Sequence, residues 1–197
     1  MRVPIGTSAA EHIVKRSRFV SAASYFDSPE TIKSTIRGVR EEHAGCNHVV
    51  YAYVIGAAGT VYGMSDDGEP KGTAGRPALE VLKGSGITNV LVTIVRYFGG
   101  TKLGTGGLVR AYSDSVRIVL PLLKTEELIE RVRFTISAPY RCYEGIRRLI
   151  AELTGSVDKE EFAVGVVLEG LIPEERKAAL TAGVGDLTGG AVQPNFF

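Results

Sequence analysis

"VRYFGGTKLGTGGLVRAY", residues 95–112, packs five glycines into positions 99–107, between two segments of different apolar pattern. The segment before it, "NVLVTIVRYF" (89–98), is continuously apolar and rich in β-branched residues, which predicts a buried strand. The segment after it, "LVRAYSDSVRIVLPLL" (108–123), carries Leu108, Ala111, Val116 and Val119 at helical spacing, which predicts a helix. Glycine between strand and helix permits positive φ and close backbone approach. Successive backbone N–H groups at such a turn, with the positive end of the helix, make an anion site. Arg96, Lys102 and Arg110 place positive charge around Gly99, Gly100, Gly104, Gly106 and Gly107, and Tyr97 with Phe98 offers a face for a base to stack on. The other reading of the glycines is tight strand–helix packing alone. No GxxxxGK[ST] occurs, and Gly104-Thr105-Gly106-Gly107 does not complete GxGxxG, so nucleotide hydrolysis on either phosphate loop is not supported.

Upstream lies "SDDGEPKGTAGRP" (65–77). Asp66, Asp67 and Glu69 offer oxygen ligands, but the calcium-loop pattern is absent. Asp66 and Glu69 have the chemistry of an acid–base pair, yet no Ser/His/Asp order or HExxH accompanies them. As turn chemistry, Asp residues open the turn, Gly68 takes positive φ and Pro70 fixes the exit. Thr73 is then the expected cap of a helix "ALEVLKGSG" (78–86), with Arg76-Pro77 at its start and Gly84 and Gly86 at its end. One turn does not need both "SDDGEP" and "GTAGRP", and the excess points to a shaped surface. His48 opens an apolar strand, where a lone histidine is more often a satisfied or surface group than a ligand.

Further out, "KRSRFVSAASYF" (15–26) predicts a strand after a basic turn. "SPETIKSTIRGVREEH" (28–43) predicts a helix from Pro29 in its first turn and from Ile32, Ile36 and Val39 on one face. "HVVYAYVIG" (48–56) and "TVYGM" (60–64) predict a hairpin. Beyond "LLKTEELIERV" the pattern restarts: strand 131–140, helix 142–155, strand 160–170, helix 172–183 and a final "AVQPNFF". In outline this is a ferredoxin-like βαββαβ module. The expected division is 1–133 and 134–197, with the two parts packed together because the join is not a Gly/Ser linker.

At 197 residues and 44% apolar composition the chain is large enough to bury a real core. Residues 1–133 hold 17 Lys and Arg against 13 Asp and Glu, and residues 134–197 hold 6 against 9. The first part is mildly basic, without the clustered basic face of a dedicated nucleic-acid binder. No apolar run reaches the ~18 residues of a membrane helix. No apolar signal core opens the chain, so no export is expected. Cys46 and Cys142 form no CxxC pair, so neither a disulfide framework nor a zinc knuckle is expected, and a reducing cytoplasm is.

"SDDGEPKGTAGRP" followed by "VRYFGGTKLGTGGLVRAY" closely resembles the IMPACT/YigZ family over roughly residues 15–120, with a tail like the family's bacterial C-terminal domain. The resemblance implies an α+β protein of two domains. The first would have the fold of the second domain of a small-subunit ribosomal protein, shared with domain IV of elongation factor G and with small-molecule kinases. The second would be ferredoxin-like, as in domain V of elongation factor G. In the family pattern a Cys follows the histidine; here Val50 stands in its place, so no Cys nucleophile or Cys/His metal pair is carried over. Eukaryotic members restrain a starvation-responsive translation kinase with the help of an additional domain, and that partner is not carried over either.

The expected function is a non-enzymatic, translation-associated regulator that binds RNA, the ribosome or a translation factor, with no catalytic residue, metal, cofactor or membrane involved. Its anion or nucleic-acid site would be Arg96, Tyr97, Gly99, Gly100, Lys102, Gly104, Gly106, Gly107 and Arg110. A neighbouring surface would hold His48, Asp66, Asp67, Glu69, Thr73 and Arg76. The alternative is an enzyme acting on a small phosphorylated or nucleotide ligand, with Asp66 or Glu69 as base or Mg²⁺ ligand.

Overall fold

A computed structural model describes residues 1–197, which form an α+β protein of two compact units, Met1–Leu128 and Ile129–Phe197. In the first unit the strands are β1 (Arg2–Pro4), β2 (Ser8–Val14), β3 (Ser17–Tyr25), β4 (His48–Ile55), β5 (Val61–Ser65), β6 (Val90–Tyr97) and β7 (Thr125–Glu127). Its helices are α1 (Ile32–Glu42), α2 (Gly75–Lys83) and α3 (Thr105–Val119). Strands β2-β3-β6-β4-β5 make one antiparallel sheet, and β1 pairs with β7 beside it.

The period of two along β4 divides the sheet into two faces. Val50, Ala52 and Val54 join Phe19, Val92 and Ile94 in the main core, covered by Leu79 and Leu82 of α2 and Leu108, Tyr112 and Val116 of α3. Tyr51, Tyr53 and Ile55 turn the other way, to Phe26, Leu91 and Ile32 at the start of α1. Central β6 is therefore buried on both faces, as its unbroken apolar run predicts. Helix α1 contributes no fully buried residue.

Strand β2 was not expected. Its "SAAEHIV" is weak in β propensity, and pairing along the whole of β3 overrides that weakness. Only Lys15 and Arg16 join the two strands, both with positive φ (45° and 69°), which suits the right-handed twist of a two-residue hairpin. Helix α3 begins at Thr105, three residues before its expected start, while α2 begins at Gly75 with Pro77 in its first turn, as expected. The glycine loop is thus shorter than its glycine content suggests, because Gly106 and Gly107 already lie in the first turn of α3.

The second unit is β8 (Arg131–Ala138), α4 (Tyr143–Glu152), β9 (Ser156–Phe162), β10 (Val166–Pro173), α5 (Lys177–Thr188) and β11 (Asn195–Phe196). Its sheet order is β11-β8-β10-β9, every pair antiparallel, which is the ferredoxin-like arrangement. Phe134, Ile136 and Leu168 meet Ile146 and Ile150 of α4 and Leu180 and Val184 of α5 in its core. The single strand expected at 160–170 is two strands, because the apolar alternation runs straight through the turn at Ala163–Gly165 and hides it. The helix expected at 172–183 starts at Lys177, since Pro173 still pairs with Arg131 in the sheet.

Candidate functional site: a polar cavity at the start of helix α3

The three acidic residues after β5 have three separate fates. Asp66 folds back on α2: its carboxylate accepts the N–H groups of Gly72 (2.8 Å), Ala74 (3.1 Å) and Gly75 (2.8 Å). It is the effective cap of α2, with its charge at the positive end of the helix. Thr73, the expected cap, instead donates its hydroxyl to the Pro70 carbonyl at 2.6 Å, closing the preceding turn. A carboxylate brought back over the loop satisfies more helix N–H groups than one hydroxyl can. Asp66 is thereby occupied and is not the free acid or base of the alternative reading.

Asp67 sits at positive φ (44°) and holds the loop to the sheet. Its side chain accepts the Val49 N–H and pairs with Arg40 of α1. Its carbonyl oxygen lies 2.8 Å from His48 Nδ1. A carbonyl only accepts, so Nδ1 carries the proton and, in the neutral ring, Nε2 is the acceptor. That Nε2 lies 3.8 Å from Glu69 Oε1.

Glu69 is the buried member of the three, with 3% of its side chain exposed. Its Oε1 takes Arg96 Nη1 at 2.6 Å and the Tyr112 hydroxyl at 2.7 Å. Burial, then the hydrogen bond to Glu69, push the Tyr112 phenol far above its ordinary range, so it stays a donor. Arg96 also reaches Ser17 Oγ at 3.3 Å, and its guanidinium lies 5.5 Å from the Phe19 ring centroid and 5.6 Å from that of Phe98. Its Nε is enclosed and has no hydrogen-bond partner. The register that pairs His48 with Arg96 across β4 and β6 brings this group together.

Beside this network lies a cavity of about 490 Å³. His48, Glu69 and Arg96 form its polar wall, and Pro70, Phe98 and Leu103 an apolar one. Lys102, Gly104 and Thr105 close the end where α3 begins. Gly104 has φ 77° and ψ 165°, a conformation open to glycine, and no side chain caps the helix. The first N–H groups of a helix have no partner within it, and those of Gly104 and Thr105 belong to residues at this end of the cavity. Phe98 is 46% exposed and its N–H is held by Asn47 Oδ1 at 2.7 Å.

The remaining expected residues lie elsewhere. Tyr97 faces the other side of β6, where its hydroxyl is 3.1 Å from His43 Nδ1 and Arg18 lies over its ring. Gly99 abuts the backbone of Arg16 so closely that a Cβ there would collide with it. Gly100 takes a positive φ of 83°. Gly106 and Gly107 do not line the cavity. The Arg110 guanidinium, expected at the anion site, is 86% exposed and pairs with Asp114 one turn onward. Arg76 lines a separate, more open hollow with Val81 of α2 and Val109 and Arg117 of α3.

Sequence reasoning passed over Tyr112, Ser17, Asn47, Leu103 and Thr105. Tyr112 left a signal: a tyrosine on the buried face of a helix needs a partner for its hydroxyl. Ser17 and Asn47 left none, because their roles arise only where β3, β4 and β6 end together. No group of three or more His, Cys, Asp or Glu side chains is disposed to hold a metal ion. No helix is long and apolar enough to cross a membrane.

The sequence model of the Impact N-terminal domain matches residues 15–120, more than half of the chain. The IMPACT family member YigZ of Escherichia coli K12 is 34% identical over 193 residues, covering 97% of this chain and 95% of its own. The IMPACT family member YvyE of Bacillus subtilis is 34% identical over 185 residues, covering 92% and 85%. A crystal structure of an hypothetical protein, 34% identical, superposes with a TM-score of 0.71 over 98% of this chain and 95% of its own. By sequence and by fold, the chain belongs to the IMPACT family.

Proposed function

We propose that this protein is a translation-associated regulator that binds RNA, with one nucleotide seated in the cavity at the start of α3. The observation that carries the reading is the meeting of Lys102 with the uncapped N-terminus of α3 beside the exposed ring of Phe98. Glu69 offsets the charge of Arg96, so Lys102 is the cation left for a ligand. A phosphate fits the helix end and Lys102, and a base fits the face of Phe98. The translation context is what the family resemblance implies. The test is a fluorescence titration with single-stranded and structured RNA at two salt concentrations. The expected result is an affinity that falls as salt rises. Failure to bind either RNA more tightly than millimolar at low salt overturns the reading.

The concavity itself favours a second reading, an enzyme for a small phosphorylated ligand, since a macromolecular partner does not require a concave site. His48 Nε2 and Glu69 would supply its acid–base chemistry. A thermal-shift screen of nucleotides and sugar phosphates separates the two. A small ligand at a hundred times its Kd stabilises by ~2.7 kcal/mol, an easily measured shift.

A further inference from the structure

The two ends of the cavity ask for opposite chemistry. Lys102 and the first turn of α3 are donors. The polar wall that His48 and Glu69 share with Arg96 also holds acceptors. Glu69 Oε1 is taken by Arg96 and Tyr112, both on the one oxygen, and Oε2 makes no hydrogen bond within the chain. In the neutral ring His48 Nε2 is an acceptor as well, because Nδ1 donates to the Asp67 carbonyl. A phosphate goes to Lys102 and the helix end, where no carboxylate lines the cavity. The free acceptors of Glu69 and His48 suit a hydroxyl.

We infer that the cavity takes a ribonucleotide and that Glu69 Oε2 accepts a hydrogen bond from its 2′-hydroxyl. The inference rests on the RNA-binding reading above and adds to it the discrimination of RNA from DNA. A carboxylate is a strong acceptor for a sugar hydroxyl, and a deoxyribose opposite it leaves Oε2 without a donor. The base is left to the apolar wall, where stacking on Phe98 tolerates any sequence. Specificity then resides in the sugar.

The experiment is fluorescence anisotropy of the full chain with a short single-stranded oligouridylate, its 2′-deoxy counterpart and its 2′-O-methyl counterpart, at one low salt concentration. The ribose form should bind about tenfold more tightly than both others, because neither of them can donate at the 2′ position. Equal affinity for ribose and deoxyribose overturns the inference while leaving RNA binding standing. Absence of binding to all three overturns the RNA-binding reading as well. A 2′-O-methyl form that binds as tightly as the ribose form overturns it too, since the methyl ether keeps the oxygen and loses the donor. These three outcomes need no altered protein. Glu69→Gln, with folding checked by thermal melting, should narrow the ribose preference to about twofold, because its one oxygen stays with Arg96 and Tyr112 and an NH2 donor replaces the Oε2 acceptor. A full preference retained in E69Q overturns the assignment to Glu69.

Discussion

The Tyr112 hydroxyl donates a 2.7 Å hydrogen bond to Glu69 Oε1, the same oxygen that receives Arg96 Nη1 at 2.6 Å. One residue comes from the loop after β5, one from α3 and one from the end of β6, and all three are nearly enclosed. A buried ion pair is stable only where its remaining polar atoms are satisfied. Tyr112 adds a second donor to Glu69 Oε1 and ties the position of α3 to the carboxylate in the cavity wall.

Tyr112→Phe keeps the ring packed against Phe19 and removes only the donor. It should destabilise the first unit by about 1–3 kcal/mol, the range for a lost hydrogen bond to a buried charge. Urea unfolding followed by circular dichroism checks this. An unchanged midpoint would show that Glu69 does not depend on Tyr112.

Asp66→Ala removes the acceptor for three backbone N–H groups at the start of α2. A loss of about 1–2 kcal/mol is expected from the cap alone. RNA affinity measured well below the melting temperature should be unchanged, because Asp66 does not line the cavity. Loss of binding in a fully folded variant would return Asp66 to the site.

Lys102 and Arg110 should behave differently despite their equal charge. Lys102→Ala should weaken RNA binding and lower the salt dependence by about one phosphate contact. Arg110→Ala should leave both unchanged, since its guanidinium is turned to Asp114. Neither change should affect stability by more than about 1 kcal/mol, as both side chains are exposed. Titrations at two salt concentrations with each variant decide the matter.

His12 stacks on Phe19, and neither ring nitrogen has a hydrogen-bond partner. Burial holds its pKa below the ordinary value, with Asp114 and the backbone at Ala111 partly opposing. The unfolded chain therefore binds the proton more readily than the folded one. Stability should be greatest above the ordinary value of about 6.5 and decline as pH falls below it toward the lower folded value. Melting temperatures at about pH 7.5 and about pH 5.5 should differ less in His12→Gln than in the natural chain. An equal pH dependence in both would assign the effect to other groups.

Gly99→Ala sets a Cβ against the Arg16 backbone, which belongs to the tight turn between β2 and β3 and has no flexible end to move aside. A loss of more than about 1 kcal/mol is expected, against a smaller effect at Gly106, where a Cβ meets open space. Thermal melting of the two variants tests whether Gly99 is a packing glycine.

Much was legible in one dimension where the pattern is local. The run "VLVTIVRY" could only be a strand covered on both faces, and the spacing of Leu108, Ala111, Val116 and Val119 could only place one side of α3 in a core. The glycines marked the junction between them, and with "SDDGEPKGTAGRP" they carried the family. Burial period and turn chemistry are short-range properties, written in neighbouring residues. Strand β2 and the β9–β10 turn escaped because their own residues argue weakly, and pairing with distant strands decides them.

The roles of Asp66, Asp67 and Glu69 were decided only in three dimensions. Within four positions the sequence offers three carboxylates of nearly the same chemistry. The positive φ of Asp67 and Gly68 turns them apart, one to the end of α2, one to β4 and Arg40, and one inward to Arg96 and Tyr112. Arg96 and Arg110 were equally alike on paper, yet one is clasped in the cavity wall and the other lies in solvent. Residue type determines what a side chain is able to bind. What it does bind depends on the register of β4 against β6 and the placement of α3, because a charge is worth little in water and a great deal where water is excluded.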